Sequence, residues 1–247
     1  MDDSFRLQCQ LYARFSEYQH RVKVARRIVR VALETSATWY VALSGGKDST
    51  CVLALVRELA PKIPAVCSIP QWTLPETREY LERVDDLELV ASGSDHNTGW
   101  AANWPGPDEV PDGIRWIGAK GHVAKNYGRS EQGVFLGLRE DESAVRRLHL
   151  RTCGTLFFTK KNQVWQCSPI ARWTWRDVWA YIVDNNLDYN RAYDRLAEIG
   201  VPPERQRIGP LAVERVLGYG QIAILKRGWP DLFNQFAAEF PEVRAYT

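Results

Sequence analysis

Residues 40–55 read Tyr40-Val41-Ala42-Leu43-Ser44-Gly45-Gly46-Lys47-Asp48-Ser49-Thr50-Cys51-Val52-Leu53-Ala54-Leu55. An apolar run of β character from Trp39 to Leu43 breaks at Ser44-Gly45-Gly46. The chain resumes with Val52, Leu55, Val56 and Leu59 at helical spacing. Strand, glycine turn and helix in that order bring free backbone N–H groups and the positive end of a helix dipole to one point. Two glycines let the backbone approach an anion with no Cβ in between. Ser44, Ser49 and Thr50 add hydroxyl donors, Lys47 adds a cation, and Asp48 adds a carboxylate suited to a metal such as Mg²⁺. The stretch is a phosphate site by construction. It is not the loop G-x-x-x-x-G-K-[ST], because only Gly45-Gly46-Lys47 stands here.

Composition sets the outer limits. A chain of 247 residues, 45% hydrophobic and 25% charged, has room for one large α/β domain with a core, or a domain with an appendage. No apolar run approaches membrane-spanning length and MDDSFRLQCQ is not a secretion signal, so a cytoplasmic protein with no membrane partner is expected. A net charge of +2 does not announce a nucleic-acid binder. Basic residues nevertheless cluster at Arg21, Lys23, Arg26, Arg27 and Arg30, and again at Arg139, Arg146, Arg147 and Arg151. Cys9, Cys51, Cys67, Cys153 and Cys167 contain no C-x-x-C pair, so neither a zinc knuckle nor an iron–sulfur cluster is expected. Trp72, Trp100, Trp104 and Trp116 fall in or beside loops, where a ring is free to line a binding face.

Outward from the loop, strands and helices alternate. Residues 64–69 and 87–91 read as strands, separated by a helix over 76–84 that Pro75 introduces. Residues 92–113 form a long Gly/Pro/Asn/Asp-rich connection, and 117–127 suit a helix. A strand follows over 133–138, then an Arg-rich helix. Residues 156–158 and 164–167 flank Lys160-Lys161-Asn162-Gln163 as a hairpin, and Thr174 caps a helix over 175–183. Repeated strand–helix–strand units imply right-handed crossovers and an open, mainly parallel twisted sheet of about five strands with helices on both faces. Residues 4–34 read as one long helix with Leu11, Phe15, Tyr18, Val22, Ala25, Val29 and Ala32 on a seam. We read it first as a helix laid across its own sheet, and second as a homodimer or partner contact. The expected organisation is an N-terminal helix (1–36), a nucleotide-binding core (37–190) and a helical C-terminal part (191–247).

Several segments carry a family resemblance. Ser44 to Ser49, SGGKDS, resembles the pyrophosphate (PP) loop of the N-type ATP pyrophosphatases, within the adenine-nucleotide α-hydrolase-like superfamily. Residues 75–84 (PETREYLERV) look like a helix of the phosphoadenosine phosphosulfate (PAPS) reductases, although Ser68-Ile69-Pro70 stands where that family usually has Asp-Thr-Gly. Residues 137–147 resemble its G-[IL]-R-x-x-E-S-x-x-R element. Residues 168–182 resemble its P-[IL]-x-x-W-[ST]-x-x-D-V-W-x-Y-I segment, and 189–194 its Y-N-x-x-Y-D stretch. The resemblance implies a Rossmann-like fold. It also implies pyrophosphate on Ser44, Gly45, Gly46, Lys47, Asp48 and Ser49, and adenine against the backbone at Ala42, Ser68 and Ile69. Arginine forks match phosphate or sulfate oxygens, so Arg139, Arg147 and Arg146 are placed on an anion, with Trp72 beside them.

The reductases attack sulfur with a cysteine near the C-terminus, and the last cysteine here is Cys167. Thiolate chemistry needs a thiolate. The expected activity is therefore ATP pyrophosphatase chemistry. ATP, with Mg²⁺ held tentatively by Asp48, adenylates an oxyanion ahead of sulfur transfer, with Lys47, Asp48 and Arg139 as the catalytic set. Sulfate, a tRNA base or a DNA phosphate (as in phosphorothioation) are the acceptors considered, with a cysteine desulfurase as partner. The alternatives are a sulfonucleotide reductase using Cys153 or Cys167, and a nucleotide-binding subunit without turnover.

Overall fold

Strand β1 (Thr38–Ala42) buries Trp39, Tyr40 and Val41 in succession, which requires both faces of the sheet to be covered at this point. The computed structural model describes residues 1–69, 72–91, 131–160, 163–209 and 220–246. Five further strands are β2 (Ala65–Ile69), β3 (Leu87–Ala91), β4 (Gln132–Phe135), β5 (Leu156–Thr159) and β6 (Val164–Cys167). They form one six-stranded sheet in the order β3-β2-β1-β4-β6-β5, one strand more than the five expected. All neighbours run parallel except β5, which pairs antiparallel with β6 from Leu156↔Cys167 to Thr159↔Val164. The expected hairpin is thus present, although Lys161 and Asn162 lie outside the described residues. The connection over 92–113, the helix over 117–127, and Trp100, Trp104 and Trp116 lie outside them too.

Strand order reverses at β1. From there the chain steps one way to β2 and β3, and later the other way to β4. Loops that leave the carboxyl ends of strands on either side of such a reversal diverge and open a crevice. Here they are the glycine turn after β1 and the Leu136–Arg139 segment after β4.

Helices pack on both sides of the sheet. α3 (Lys47–Arg57) follows the turn and α4 (Pro75–Glu82) follows β2. After β4 come α5 (Ala144–Cys153), α6 (Trp175–Asp184), α7 (Ala192–Glu198), α8 (Gln221–Gly228) and α9 (Pro230–Glu239). The helix expected over 4–34 is instead two, α1 (Asp3–Tyr12) and α2 (Ser16–Leu33). One straight helix of that length would run about 45 Å, against about 17 Å for a five-residue strand beneath it. The break at Ala13-Arg14-Phe15 turns the chain so that both halves stay on the core. Phe5 meets Trp179 of α6 edge-on at 5.9 Å, while Tyr12 and Arg21 converge on buried Asp177 at 3.2 and 3.0 Å. Tyr18, Val22, Ala25, Val29 and Ala32 are buried in the chain's own core. That part of the seam is consumed internally, and Leu11 and Phe15 stay exposed.

The main core joins α1, α2, α3, α6 and the C-terminal helices on one continuous cluster. Tyr40, Val66, Val134 and Val164 form a second, smaller cluster. Thr174 caps α6 as its position promised. Its hydroxyl accepts from the Asp177 amide and Asp177 accepts from the Thr174 amide at 2.6 Å, a capping box. No helix of the described residues is long and apolar enough to cross a membrane.

Candidate active site at the pyrophosphate loop

Gly45 has φ +74°, a left-handed conformation that side chains resist, and a Cβ there would lie 2.9 Å from Thr77 Cγ2. Both facts demand glycine. The turn is then held from outside. Asn190 Nδ2 donates to the Gly45 carbonyl at 3.1 Å and to Thr77 Oγ1 at 2.7 Å, and Asn190 Oδ1 accepts from the Ala192 amide. Inside the turn, Ser49 Oγ accepts from the Ser44 amide at 3.2 Å and donates to the Gly46 carbonyl at 2.9 Å. Thr50 Oγ1 lies 3.1 Å from the same carbonyl and 2.8 Å from Tyr80 Oη. These hydroxyls set the shape of the loop.

Gly46 is the N-cap of α3, and the helical ladder starts with Thr50 N donating to the Gly46 carbonyl. The amides of Lys47, Asp48 and Ser49 precede that ladder, as the first N–H groups of any helix do. Lys47 N donates to Tyr193 Oη at 3.0 Å. Gly137 closes against the same helix start, where a Cβ on it would lie 2.8 Å from Ser49 N. The loops after β1 and β4 therefore touch, as the strand order requires.

Three charged groups meet here. Lys47 Nζ is 3.5 Å from Asp48 Oδ2 and donates to the Gln206 carbonyl at 2.9 Å. Arg139 Nε pairs with Asp48 Oδ1, and Arg139 Nη1 reaches Asp141 Oδ2 at 3.2 Å and the Trp173 carbonyl at 3.4 Å. Lys47 and Arg139 are buried, with 3% and 4% exposure. Burial lowers the Lys47 pKa, and Asp48 only partly opposes this. For Arg139 burial also works against the charge, but Asp48 and Glu142 outweigh it and its pKa is raised.

Mg²⁺ is usually held by one or two carboxylates together with phosphate oxygens, and Asp48 is the carboxylate this loop would offer it. The two Asp48 carboxylate oxygens face one cation each, and no group of three metal-ligating side chains exists among the described residues. Lys47 and Arg139 are the cations that face Asp48 here.

The other expected site residues stand further out. Ala42 closes β1 beside Val66, and Ser68 and Ile69 end β2, with the Ser68 side chain exposed. Arg146 pairs with Glu142, whose Oε2 also accepts from the Arg139 amide at 3.0 Å. Arg147 is exposed on α5. Trp72 packs edge-on against Phe236 of α9 at 5.2 Å. Sequence reasoning assigned no role to Asn190, Tyr193 or Gln206. The signal for the first two was present in Asn190-x-x-Tyr193, one helical turn apart at the start of α7, but only their tertiary contacts give it meaning.

The cysteines sit apart from this chemistry. Cys51, one turn along α3, is fully buried. Its thiol points at the Val178 carbonyl, and burial raises its pKa well above the ordinary value. Burial pushes Cys67 up to about 12 and also raises Cys167. Cys153 ends α5, its sulfur 3.8 Å from His149 Nδ1.

A glycine turn at the switch point of a parallel sheet, with a buried lysine at the helix start, defines a PP-loop protein of the adenine-nucleotide α-hydrolase-like superfamily. Residues 38–200 match the family model of the phosphoadenosine phosphosulfate reductase domain, and the chain belongs to that family. It is 25% identical over 162 residues to a phosphoadenosine 5'-phosphosulfate reductase of Xylella fastidiosa, a match spanning 62% of this chain and 65% of that protein. It is 38% identical over 68 residues to an adenosine 5'-phosphosulfate reductase of Anoxybacillus flavithermus, 27% of each. Its fold is similar to that of a Candida auris PAPS reductase in complex with phosphate, with TM-score 0.54, 16% identity, 80% of this chain and 96% of that one. It is also similar to that of a Candida glabrata FMN adenylyltransferase bound to FMN and an ATP analogue, with TM-score 0.55, 14% identity, 84% and 69%.

Proposed function

We propose that this chain binds ATP on residues 44–49 and transfers its adenylyl group to an oxyanion acceptor, ahead of sulfur transfer. The acceptor oxygen attacks the α-phosphorus, the bond from that phosphorus to the bridging oxygen breaks, and pyrophosphate leaves with the electron pair. The observation that carries this reading is the cluster of buried Lys47 and Arg139 on partly exposed Asp48 at the start of α3, at a loop where no accessible thiol stands among the described residues. Amides ahead of the helical ladder and Lys47 match the charge that develops on the departing pyrophosphate. Arg139 orients Asp48 and thereby the loop. A cysteine desulfurase is the natural source of sulfur for an adenylated acceptor, and DNA and tRNA are the acceptors to try beside sulfate.

The test is pyrophosphate release from ATP, with magnesium in the buffer, alone and with sulfate, DNA or tRNA. Release that is stimulated by one acceptor and lost in Lys47→Ala supports adenylation. No release under any condition rejects it. The names of the relatives favour a second reading, reduction of a sulfonucleotide. Thioredoxin-dependent sulfite release that disappears in Cys153→Ser would establish that reading instead.

A further inference from the structure

Beside the Lys47–Asp48–Arg139 cluster the surface holds two hollows that meet. One, of about 380 Å³, is lined by His20, Val24 and Ile28 of α2 together with Thr155, Pro169 and Arg172. The other, of about 200 Å³, is lined by Glu140, Asp141, Arg147, Arg172 and Thr174. Arg172 and Trp173 belong to both. Trp173 ties this surface to the reaction centre. Its carbonyl accepts from Arg139 Nη1 at 3.4 Å, and its Nε1 donates to the Arg21 carbonyl at 3.4 Å.

Charge is distributed unevenly here. The acids along the rim are engaged: Glu17 by Arg21, Glu140 by Arg151, and Asp141 by Arg139 and the Trp175 amide. Arg172, Arg147, Lys23 and Arg27 are exposed and make no ion pair among the described residues. Lys23 and Arg27 stand one turn apart on α2, each next in sequence to a residue of the larger hollow, Val24 and Ile28. Arg172 and Arg147 thus present uncompensated cations in the two hollows, and Lys23 and Arg27 add to them on α2, the helix that walls the larger one.

We infer that this surface of joined hollows is a track for single-stranded nucleic acid, the acceptor of the adenylyl reaction. The inference rests on the adenylation reading above. Phosphates lie on Arg147, Arg172, Lys23 and Arg27, and an unpaired base enters the hollow against Val24, Ile28 and Pro169. A duplex offers phosphates but hides its base faces, so it leaves the apolar floor unused. A strand offers both, and grooves of this kind join cations to apolar or aromatic platforms. Half-buried Trp175, whose amide donates to Asp141 and whose ring lies 4.9 Å from Arg176, follows the hollow residue Thr174 in sequence.

The experiment is equilibrium binding of fluorescent oligonucleotides of about fifteen residues, as single-stranded DNA, single-stranded RNA and duplex, over a salt series. Polyglutamate serves as an unrelated polyanion. Single strands are expected to bind tighter than duplex and polyglutamate, with affinity falling as salt rises. Arg172→Glu is expected to weaken binding about tenfold or more, and Lys23→Glu/Arg27→Glu to flatten the salt slope by roughly 0.7 for each phosphate no longer neutralised. The DNA and RNA arms name the acceptor. Equal or tighter binding of duplex or polyglutamate overturns the inference, and so does a wild-type protein that binds no strand at low salt. ATP binding by the same wild-type sample separates the failures. ATP bound with no strand bound rejects the track alone, whereas no ATP bound rejects the adenylation reading beneath it.

Discussion

Tyr193 Oη accepts the backbone N–H of Lys47 at 3.0 Å across 146 residues of sequence, and the Lys47 ammonium lies 5.1 Å from the centre of the same ring. One tyrosine from beyond the sheet thus satisfies the first amide of the loop helix and lines the path of its cation. Burial and the neighbouring Asp48 raise the Tyr193 pKa, so the hydroxyl stays protonated at neutral pH. It occupies one of the amides that an incoming phosphate would claim.

Tyr193→Phe removes that acceptor and leaves a buried N–H without a partner, at a cost of about 1–3 kcal/mol. An anion able to take the vacated amide repairs the loss. The expected result is a lower melting temperature, with a larger ATP-induced rise in the variant than in the wild type. Equal ATP shifts in the two proteins would refute the shared-amide account.

Gly45→Ala meets two separate obstacles, the left-handed φ and the 2.9 Å approach to Thr77 Cγ2. The conformational part alone costs roughly 1–3 kcal/mol. Thr77→Ser removes the methyl group and relieves the second obstacle only. A double-mutant cycle by denaturant titration should show partial recovery in Gly45→Ala/Thr77→Ser relative to the sum of the single changes. Strict additivity would mean that the methyl contact carries no cost.

Asp48→Asn leaves two buried cations facing an amide. Breaking a buried ion pair by removal of one partner costs about 3–5 kcal/mol, and the partial exposure of Asp48, 16%, places the expected value at the low end. Pyrophosphate release should fall together with stability. Arg139→Lys should fail to restore it, because an ammonium cannot span Asp48, Asp141 and the Trp173 carbonyl as the guanidinium does. Wild-type release rates in Asp48→Asn would remove Asp48 from the machinery.

Lys47 gives a pH signature. Its folded pKa is lowered, chiefly by burial, below the 10.5 of a free lysine. Below the folded value both states hold the proton and the burial penalty is present in full. As pH rises from the folded value towards 10.5, the folded lysine has released its proton while the unfolded one keeps it, so the penalty is relieved and stability rises. The difference in unfolding free energy between wild type and Lys47→Met should therefore move in favour of the wild type across that alkaline window. Nucleotide affinity, which uses the ammonium, should fall over the same range. A difference that is flat with pH would contradict a depressed Lys47.

Much of this was legible in the sequence because it is local. A β run, two glycines and an amphipathic helix fix the loop between Ala42 and Val52 without help from afar, and the Thr174–Asp177 capping box is written in four residues. Periodicity misjudged the N-terminus. The seam from Leu11 to Ala32 continues through the Ala13–Phe15 break, and the contacts that hold the two halves on the core, Tyr12 and Arg21 on Asp177, are distant in sequence. Arg139 was singled out as an anion ligand. It stands at the loop, but its guanidinium is taken up by Asp48 and Asp141, pairings that spacing cannot reveal. The packing of Trp72 on Phe236 is invisible to spacing, because Phe236 lies far along the chain.

The loop is short, yet its supports come from Thr77, Gly137, Asn190, Tyr193 and Gln206, spread along most of the polypeptide. Residues 1–60 hold the full phosphate motif and none of these braces. A ribosome-bound or truncated chain therefore carries the signature of a nucleotide site without the means to hold it in shape. The shape of the loop is thus a property of the folded domain, and the motif by itself does not carry it.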